Sequence, residues 1–261
     1  MKVSELGFGV AGALNHDVLR AVARRLETEG FRTLWINDTP DGDSLKGLAV
    51  AAAETNRLRL ATGVISIDRR PSHEIVDAVR RLRLPEDRLV LGIGGTAKPS
   101  PLSRVERAIS ELRSELECRV MVGALGPKMR KLGAERSNGL LLNWLTPDAA
   151  RAAVADRDRD ATRADREAIE ACLYVRTALG ARAGERMARE AERYATIPSY
   201  RANFERMGVA AIETTVAASS PGGIREGLDR YLGIVDELVV RGITASDSTY
   251  EYQGLIDAIV G

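Results

Sequence analysis

From one end to the other the chain alternates between short apolar runs and helical patterns, and that alternation restricts its fold more than any other feature. Eight runs read as strands: "SELGFGV", "FRTLWI", "LRLATGVIS", "RLVLGIGG", "CRVMVGAL", "GLLLNW", "IEACLYVRTAL" and "VDELVVRG". Each is bounded by turn residues and followed by a stretch with helical periodicity. In "HDVLRAVARRLETEG", Val18, Leu19, Val22 and Leu26 form an apolar stripe, and Gly30 closes it where a helix prefers glycine. Strand alternating with helix implies parallel strands joined by right-handed crossovers. Eight such units in 261 residues fit an α/β fold of the (β/α)8 TIM barrel kind, with few insertions, better than an open doubly wound sheet. The expectation is one barrel domain over residues 1–261.

No linker interrupts the pattern. The stretch "ARAAVADRDRDATRADREAIE" alternates charge signs at helical spacing and reads as a solvated helix whose task is solubility. The segment "VAASSPGG", residues 216 to 223, reads as a loop, with Ser220 and Pro221 placed to start the next helix. Lys and Arg number 38 against 37 Asp and Glu, so nothing favours nucleic acid or an anionic membrane as partner, and a small molecule remains. The two cysteines, Cys118 and Cys172, sit far apart in apolar runs and read as small buried hydrophobes, not as a disulfide or a metal site. Without a signal-peptide pattern or a spanning apolar run, a soluble cytoplasmic protein is expected.

In a barrel of this kind ligands bind at the C-terminal ends of the strands, so the residues after each run carry the search for chemistry. Glycines dominate there, and glycine lets backbone approach a flat or phosphorylated ligand closely. After the fifth run, Gly126 stands near a helix N-cap and Pro127 at the first helical position. The segment Gly123, Ala124, Leu125, Gly126 and onward to Lys128 is either an ordinary strand-to-helix turn or a cradle for an anion, with the helix dipole and Lys128 supplying positive charge. Spacing alone leaves both readings open. Asp38, in "LWINDTPDGD", is either an acid or hydrogen-bond acceptor at the site or a local cap. His16 and His73 each start a helical pattern and have no partner at triad spacing. "GIGGTAKP" departs from the dinucleotide fingerprint, which disfavours a Rossmann-type nicotinamide site.

Taken in order, "EGFRTLW", "AAAETNRLRLATGV", "DRLVLGIGG", "ALGPKM" and "SNGLLLNWLTP" resemble the bacterial luciferase-like group of flavin and deazaflavin oxidoreductases, which are (β/α)8 barrels. A further stretch, "YATIPSYRANFERMGV", is similar to a segment of the actinobacterial branch assigned to the deazaflavin coenzyme F420. The resemblance implies an F420-dependent oxidoreductase that passes a hydride between reduced coenzyme and a small organic substrate. The alternatives are an FMN-dependent luciferase-like monooxygenase and a non-catalytic flavin-binding protein. It further implies that Gly63 and Val64 form a non-proline cis peptide behind the central ring, and that Gly94 and Gly95 approach the cofactor. By the same likeness Gly123, Ala124, Leu125, Gly126 and Lys128 line its phosphate, and Asp38 is the polar, catalytic group facing the ring. Relatives are often homodimers, and the faces around Val18–Leu26 and Leu45–Ala53 are apolar enough to serve, though a barrel helix needs such a face for its own strands. Some relatives carry a glutamate after the fourth run, where this chain reads Thr96, Ala97 and Lys98, and some a histidine after the second, where it reads Asn37, Asp38 and Thr39. The chain is also shorter than many relatives, which leaves less room for a lid.

Overall fold

In the computed structural model, which describes residues 2–95, 99–167 and 169–261, the chain closes into a parallel barrel. The strands are β1 (Leu6–Ala11), β2 (Thr33–Asn37), β3 (Arg59–Thr62), β4 (Ile65–Ser66), β5 (Leu89–Gly94), β6 (Arg119–Gly123), β7 (Gly139–Asn143), β8 (Glu170–Leu179), β9 (Val216–Ala218) and β10 (Glu237–Ile243). The helices are α1 (His16–Glu29), α2 (Ser44–Ala52), α3 (Ser72–Leu82), α4 (Pro101–Glu115), α5 (Pro127–Arg136), α6 (Pro147–Arg163), α7 (Ala181–Thr196), α8 (Pro198–Met207), α9 (Pro221–Asp229) and α10 (Thr249–Val260). Strand order runs β10, β1, β2, β3, β5, β6, β7, β8, and β8 pairs back onto β10, so no edge is left open. Each of the eight expected runs supplies one barrel strand. Helices α1 to α6, α9 and α10 form the outer ring, which the amphipathic stripe of α1 illustrates: Leu19, Val22, Ala23 and Leu26 face inward and Gly30 ends the helix at φ 78°.

Two short strands depart from the expected eight, β4 because the run "LRLATGVIS" is broken in two and β9 because it lies outside every expected run. β4 continues the line of β3 beyond Gly63 and Val64. Ala61 faces Val90 and Ile65 faces Ile93, so four steps along one strand answer three along its neighbour, and one extra residue bulges out. β9 corrects the reading of residues 216 to 223 as a loop throughout: Val216 to Ala218 pair with Thr177 to Leu179. Three residues are too few to show a period, and they form a strand because β8, at ten residues, overruns its neighbours and offers them an edge. The start of the next helix is as expected, since Ser220 accepts a hydrogen bond from the Gly223 amide at 3.3 Å.

The 36 residues from Gly180 to Thr215 leave the barrel at the C-terminal end of β8 as α7, α8 and a short 3-10 turn before β9 returns. This excursion contributes its own small aromatic core of Tyr194, Tyr200 and Phe204 around Trp144. The charged helix α6 is likewise not wholly solvated. Arg157 is buried, pairs with Asp236 at 2.5 Å and donates to the Ile169 carbonyl at 2.8 Å, which fastens the helix to the lower ends of β8 and β10. Alternation along a charged sequence does not distinguish an arginine facing water from one reaching a buried carboxylate.

Inside the barrel, Trp35, Ala61, Val90, Met121, Leu141, Cys172, Tyr174 and Val239 meet on the axis. Below them, at the N-terminal ends of the strands, lies an ionic floor. Glu170 pairs with Arg32 at 2.8 Å, Arg59 at 3.1 Å and Arg119 at 2.8 Å, while Glu237 accepts from Trp35 Nε1 at 2.6 Å and Thr33 Oγ1 at 3.0 Å. Gly7 makes room for this floor, because a Cβ there would collide with the Glu237 carboxylate and lie 2.9 Å from the Trp35 indole nitrogen. Glu170, Cys172 and Glu237 lie close enough to hold a metal, yet the two carboxylates are already engaged by these donors. Burial pushes the Cys172 thiol pKa well up, and that of Cys118 to about 12, as expected of inert buried sulfur. Among the described residues, no helix is long and apolar enough to cross a membrane.

Candidate active site at the barrel mouth

The mouth is built from the segments at the C-terminal ends of the strands. At the bulge between β3 and β4 the Gly63–Val64 peptide is cis, at the position implied by the family resemblance. Val64 leans across to β5 and β6: a Cβ on Gly94 would lie 3.1 Å, and one on Gly123 2.9 Å, from its methyl groups. The glycines after the fourth and fifth runs are therefore required first by the chain itself, which needs their missing side chains to seat Val64. Gly95 is confined in the same way by Ile67, at 2.9 Å from its Cβ position. Thr96, Ala97 and Lys98, where some relatives carry a glutamate, lie outside the described residues.

Beside the bulge stands a polar chain that sequence reasoning did not single out. Asn37, the last residue of β2, donates from Nδ2 to the Gly63 carbonyl at 2.5 Å and accepts from Arg241 Nε at 2.9 Å. Arg241, on β10, also donates to the Gly242 carbonyl. Tyr174, on β8, is buried, packs edge-on against Trp35 and points its hydroxyl at Gly63, where a Cβ would collide with it. Among the described residues that hydroxyl has no hydrogen-bond partner. Burial pushes its pKa well up, so it stands as a neutral O–H with a donor to offer. Inward-facing positions along a strand recur every second residue, and Tyr174 and Arg176 on β8 could have been found as the polar members of such a series.

One layer higher, Arg176 donates from Nη1 to Asn143 Oδ1 at 2.8 Å and from Nε to Glu190 of α7 at 2.7 Å, with its guanidinium 3.6 Å from the centre of the Trp144 ring. Burial would raise the Glu190 pKa, but Arg176 and Arg241 more than offset it and hold the carboxyl below its ordinary value. Trp144, directly after β7, adopts φ 53°, an unusual backbone for so bulky a residue, and its buried Nε1 also lacks a partner among the described residues. Asn203 of α8 donates to the Trp144 carbonyl at 3.0 Å and thereby ties the excursion to the mouth.

The remaining expected residues take a variety of places. Asp38 accepts from the Ser44 amide at 3.1 Å and hydroxyl at 2.9 Å and pairs with Arg69, so its carboxylate braces the loop after β2 and Asn37 is the residue beside the bulge. Gly126 is the N-cap of α5 and Pro127 its first residue, as the spacing implied. Ala124 is buried, and its amide donates to the Leu141 carbonyl at 3.1 Å. The Leu125 carbonyl accepts from Arg130 at 2.9 Å. Lys128 is exposed and makes no ion pair among the described residues. His16 and His73 start α1 and the first turn of α3, on the outer ring.

Comparison with known proteins agrees with this geometry. The model of the luciferase-like monooxygenase family matches residues 8–105. A 5,10-methylenetetrahydromethanopterin reductase of Methanolobus tindarius is 26% identical, over 62% of this chain and 62% of its own length. The chain thus spans less than two thirds of that curated relative. Among solved structures, a coenzyme F420-dependent tetrahydromethanopterin reductase of Methanopyrus kandleri superposes with a TM-score of 0.71 at 16% identity, covering 98% of each chain. An F420-dependent secondary alcohol dehydrogenase superposes with 0.73 at 13% identity over 99% of each. The solved structures share the barrel, and the match to the luciferase-like monooxygenase family runs over residues 8–105, from β1 into α4.

Proposed function

We propose that the protein is a cytoplasmic F420-dependent oxidoreductase acting on a small organic substrate at the barrel mouth. The observation that carries this reading is the Tyr174 hydroxyl, a buried donor without a partner beside the β3–β4 bulge. Buried polar groups are almost always paired, and one left open at the ligand-binding end of a barrel suits a polar edge of a bound ring. The named activities of the similar F420-dependent structures support the choice of coenzyme. When bound, the deazaflavin supplies the hydride chemistry.

This chain's own residues would bind, orient and shield. Asn37, held by Arg241, fixes the Gly63 carbonyl and with it the wall against which a ring lies. Val64, seated over Gly94 and Gly123, gives that wall its apolar surface. Tyr174 offers its O–H. Asp38, with Ser44 and Arg69, braces the neighbouring loop, so its contribution is positioning. The segment Gly123 to Lys128 is the place for a phosphate, and α7 with Glu190 and Tyr194 covers Arg176 and excludes water from that side.

A second reading, an FMN-dependent monooxygenase, is favoured by the description of the family model itself. Side-by-side titration with F420 and FMN separates the two. Tighter binding of F420, weakened in Tyr174→Phe with no loss of folding, is the expected result. Preference for FMN with oxygen consumption would transfer the assignment to the monooxygenase, and binding of neither would remove both.

A further inference from the structure

Behind the Gly123–Lys128 loop lies a groove of about 940 Å³ between α5, α6 and α8, reaching Arg230 after α9. Three of its arginines, Arg130, Arg206 and Arg230, make no ion pair among the described residues. Arg130 and Arg206 come from different helices, yet they share an acceptor: their Nη2 atoms lie 2.9 Å and 3.4 Å from the Leu125 carbonyl oxygen, and the Arg206 Nη2 also donates to Asn203 Oδ1 at 3.0 Å. The Arg130 Nε is buried without a hydrogen-bond partner among the described residues. Burial, and then the Arg206 charge beside it, lower the Arg130 pKa. Of the carboxylates in the groove, Asp148 pairs with Arg151 at 2.9 Å, and Asp156 pairs with Arg159 at 2.5 Å while its charge raises the Arg130 pKa without offsetting the two opposing causes. Two guanidinium groups sharing a neutral carbonyl repel each other, and a single anion between them would relieve the repulsion and supply the missing acceptor.

We propose that this groove is an oxyanion site, taking a phosphate- or carboxylate-bearing group of two or more negative charges between Arg130 and Arg206, with Arg230 at its outer edge. Such a group has two sources, a charged arm of the bound coenzyme or a separate small anion. The site does not depend on which coenzyme the mouth accepts.

The test is calorimetric titration of the coenzyme-free protein with pyrophosphate, together with its melting temperature. Saturable, salt-sensitive binding is expected, weakened about tenfold or more in Arg206→Glu, whose new carboxylate takes the anion's place beside Arg130. The same variant, without pyrophosphate, should melt higher than the natural protein, because a repelling pair becomes an attracting one; a purely structural Arg206 would give the reverse. Arg230→Gln, exposed and unpaired, should bind more weakly with an unchanged melting temperature. Absence of saturable binding, or binding undiminished in Arg206→Glu, overturns the proposal. Repeating the titration with F420 present then identifies the source: competition assigns the anion to the coenzyme's own arm, and simultaneous binding to a separate molecule.

Discussion

The two ends of the barrel axis use the same residue types to opposite effect. At the floor, Glu170 and Glu237 meet Arg32, Arg59, Trp35 and Thr33, and each carboxylate is engaged by donors. At the mouth, Arg241 with Asn37 and Arg176 with Asn143 and Glu190 form two polar clusters, but among the described residues the Tyr174 hydroxyl and the Trp144 indole nitrogen are left over, and Trp144 holds a left-handed backbone. A buried network that closes on itself makes structure, and one that ends on an unpaired donor has kept a place for something else. The position of each end within the fold agrees, since barrels bind at the C-terminal ends of their strands.

The contrast is broken most severely at the floor. Glu170→Gln leaves Arg32, Arg59 and Arg119 facing an uncharged amide, and a loss of about 3–5 kcal/mol in urea unfolding is expected. The two floor glutamates should also differ in their pH dependence. Burial opposes the ionisation of Glu170, but its arginines more than offset it and hold its pKa below 4.5, so its stabilisation is full above that value and is lost as pH falls through the folded pKa. Burial dominates for Glu237 and raises its pKa, so its contribution is full below 4.5 and fades as pH rises through the folded value. Urea midpoints measured against pH should therefore show Glu237→Gln gaining on the natural protein as pH climbs above 4.5, and Glu170→Gln losing the acid limb. Parallel profiles for the two variants would refute the distinction.

The next effect is at the mouth. Gly123→Ala sets a methyl group 2.9 Å from Val64, and displacing that side chain should cost about 1–3 kcal/mol while weakening coenzyme binding in the same titration. Tyr174→Phe sharpens the comparison because it removes a donor that pairs with nothing. Thermal unfolding should change by less than about 0.5 kcal/mol in either direction while F420 affinity falls; a large loss of stability would show that the hydroxyl belongs to a closed network after all. The smallest effect is that of Lys128→Ala, which removes an exposed charge from the α5 terminus. Coenzyme affinity should drop by no more than about fivefold, and a larger loss would move the phosphate from the loop amides to this side chain.

Much of the barrel was legible because its signals are local. Eight apolar runs, the glycine ending α1, the N-cap of α5 and the serine starting α9 all lie within a few residues of the structure they specify. The site was legible only in outline. Gly94 and Gly123 stood out as glycines, but their partner is Val64, from another strand. Asp38 drew attention as the acid of its turn, yet its carboxylate serves Ser44 and Arg69, and the neighbouring Asn37 reaches the bulge. Arg157 looked like one more surface charge until α6 laid it against Asp236.

The sequence by itself determined the alternation of strand and helix, hence parallel strands, the closed barrel and the end at which to look for a site, because hydrophobic period and turn chemistry act over a few residues. Only the tertiary structure decided which polar side chains meet on the axis, which donor is left unpaired, and that the residues after β8 fold over the mouth. Those outcomes depend on register between strands far apart in the chain, such as Arg176 beside Arg241, and no local pattern encodes register around a closed barrel.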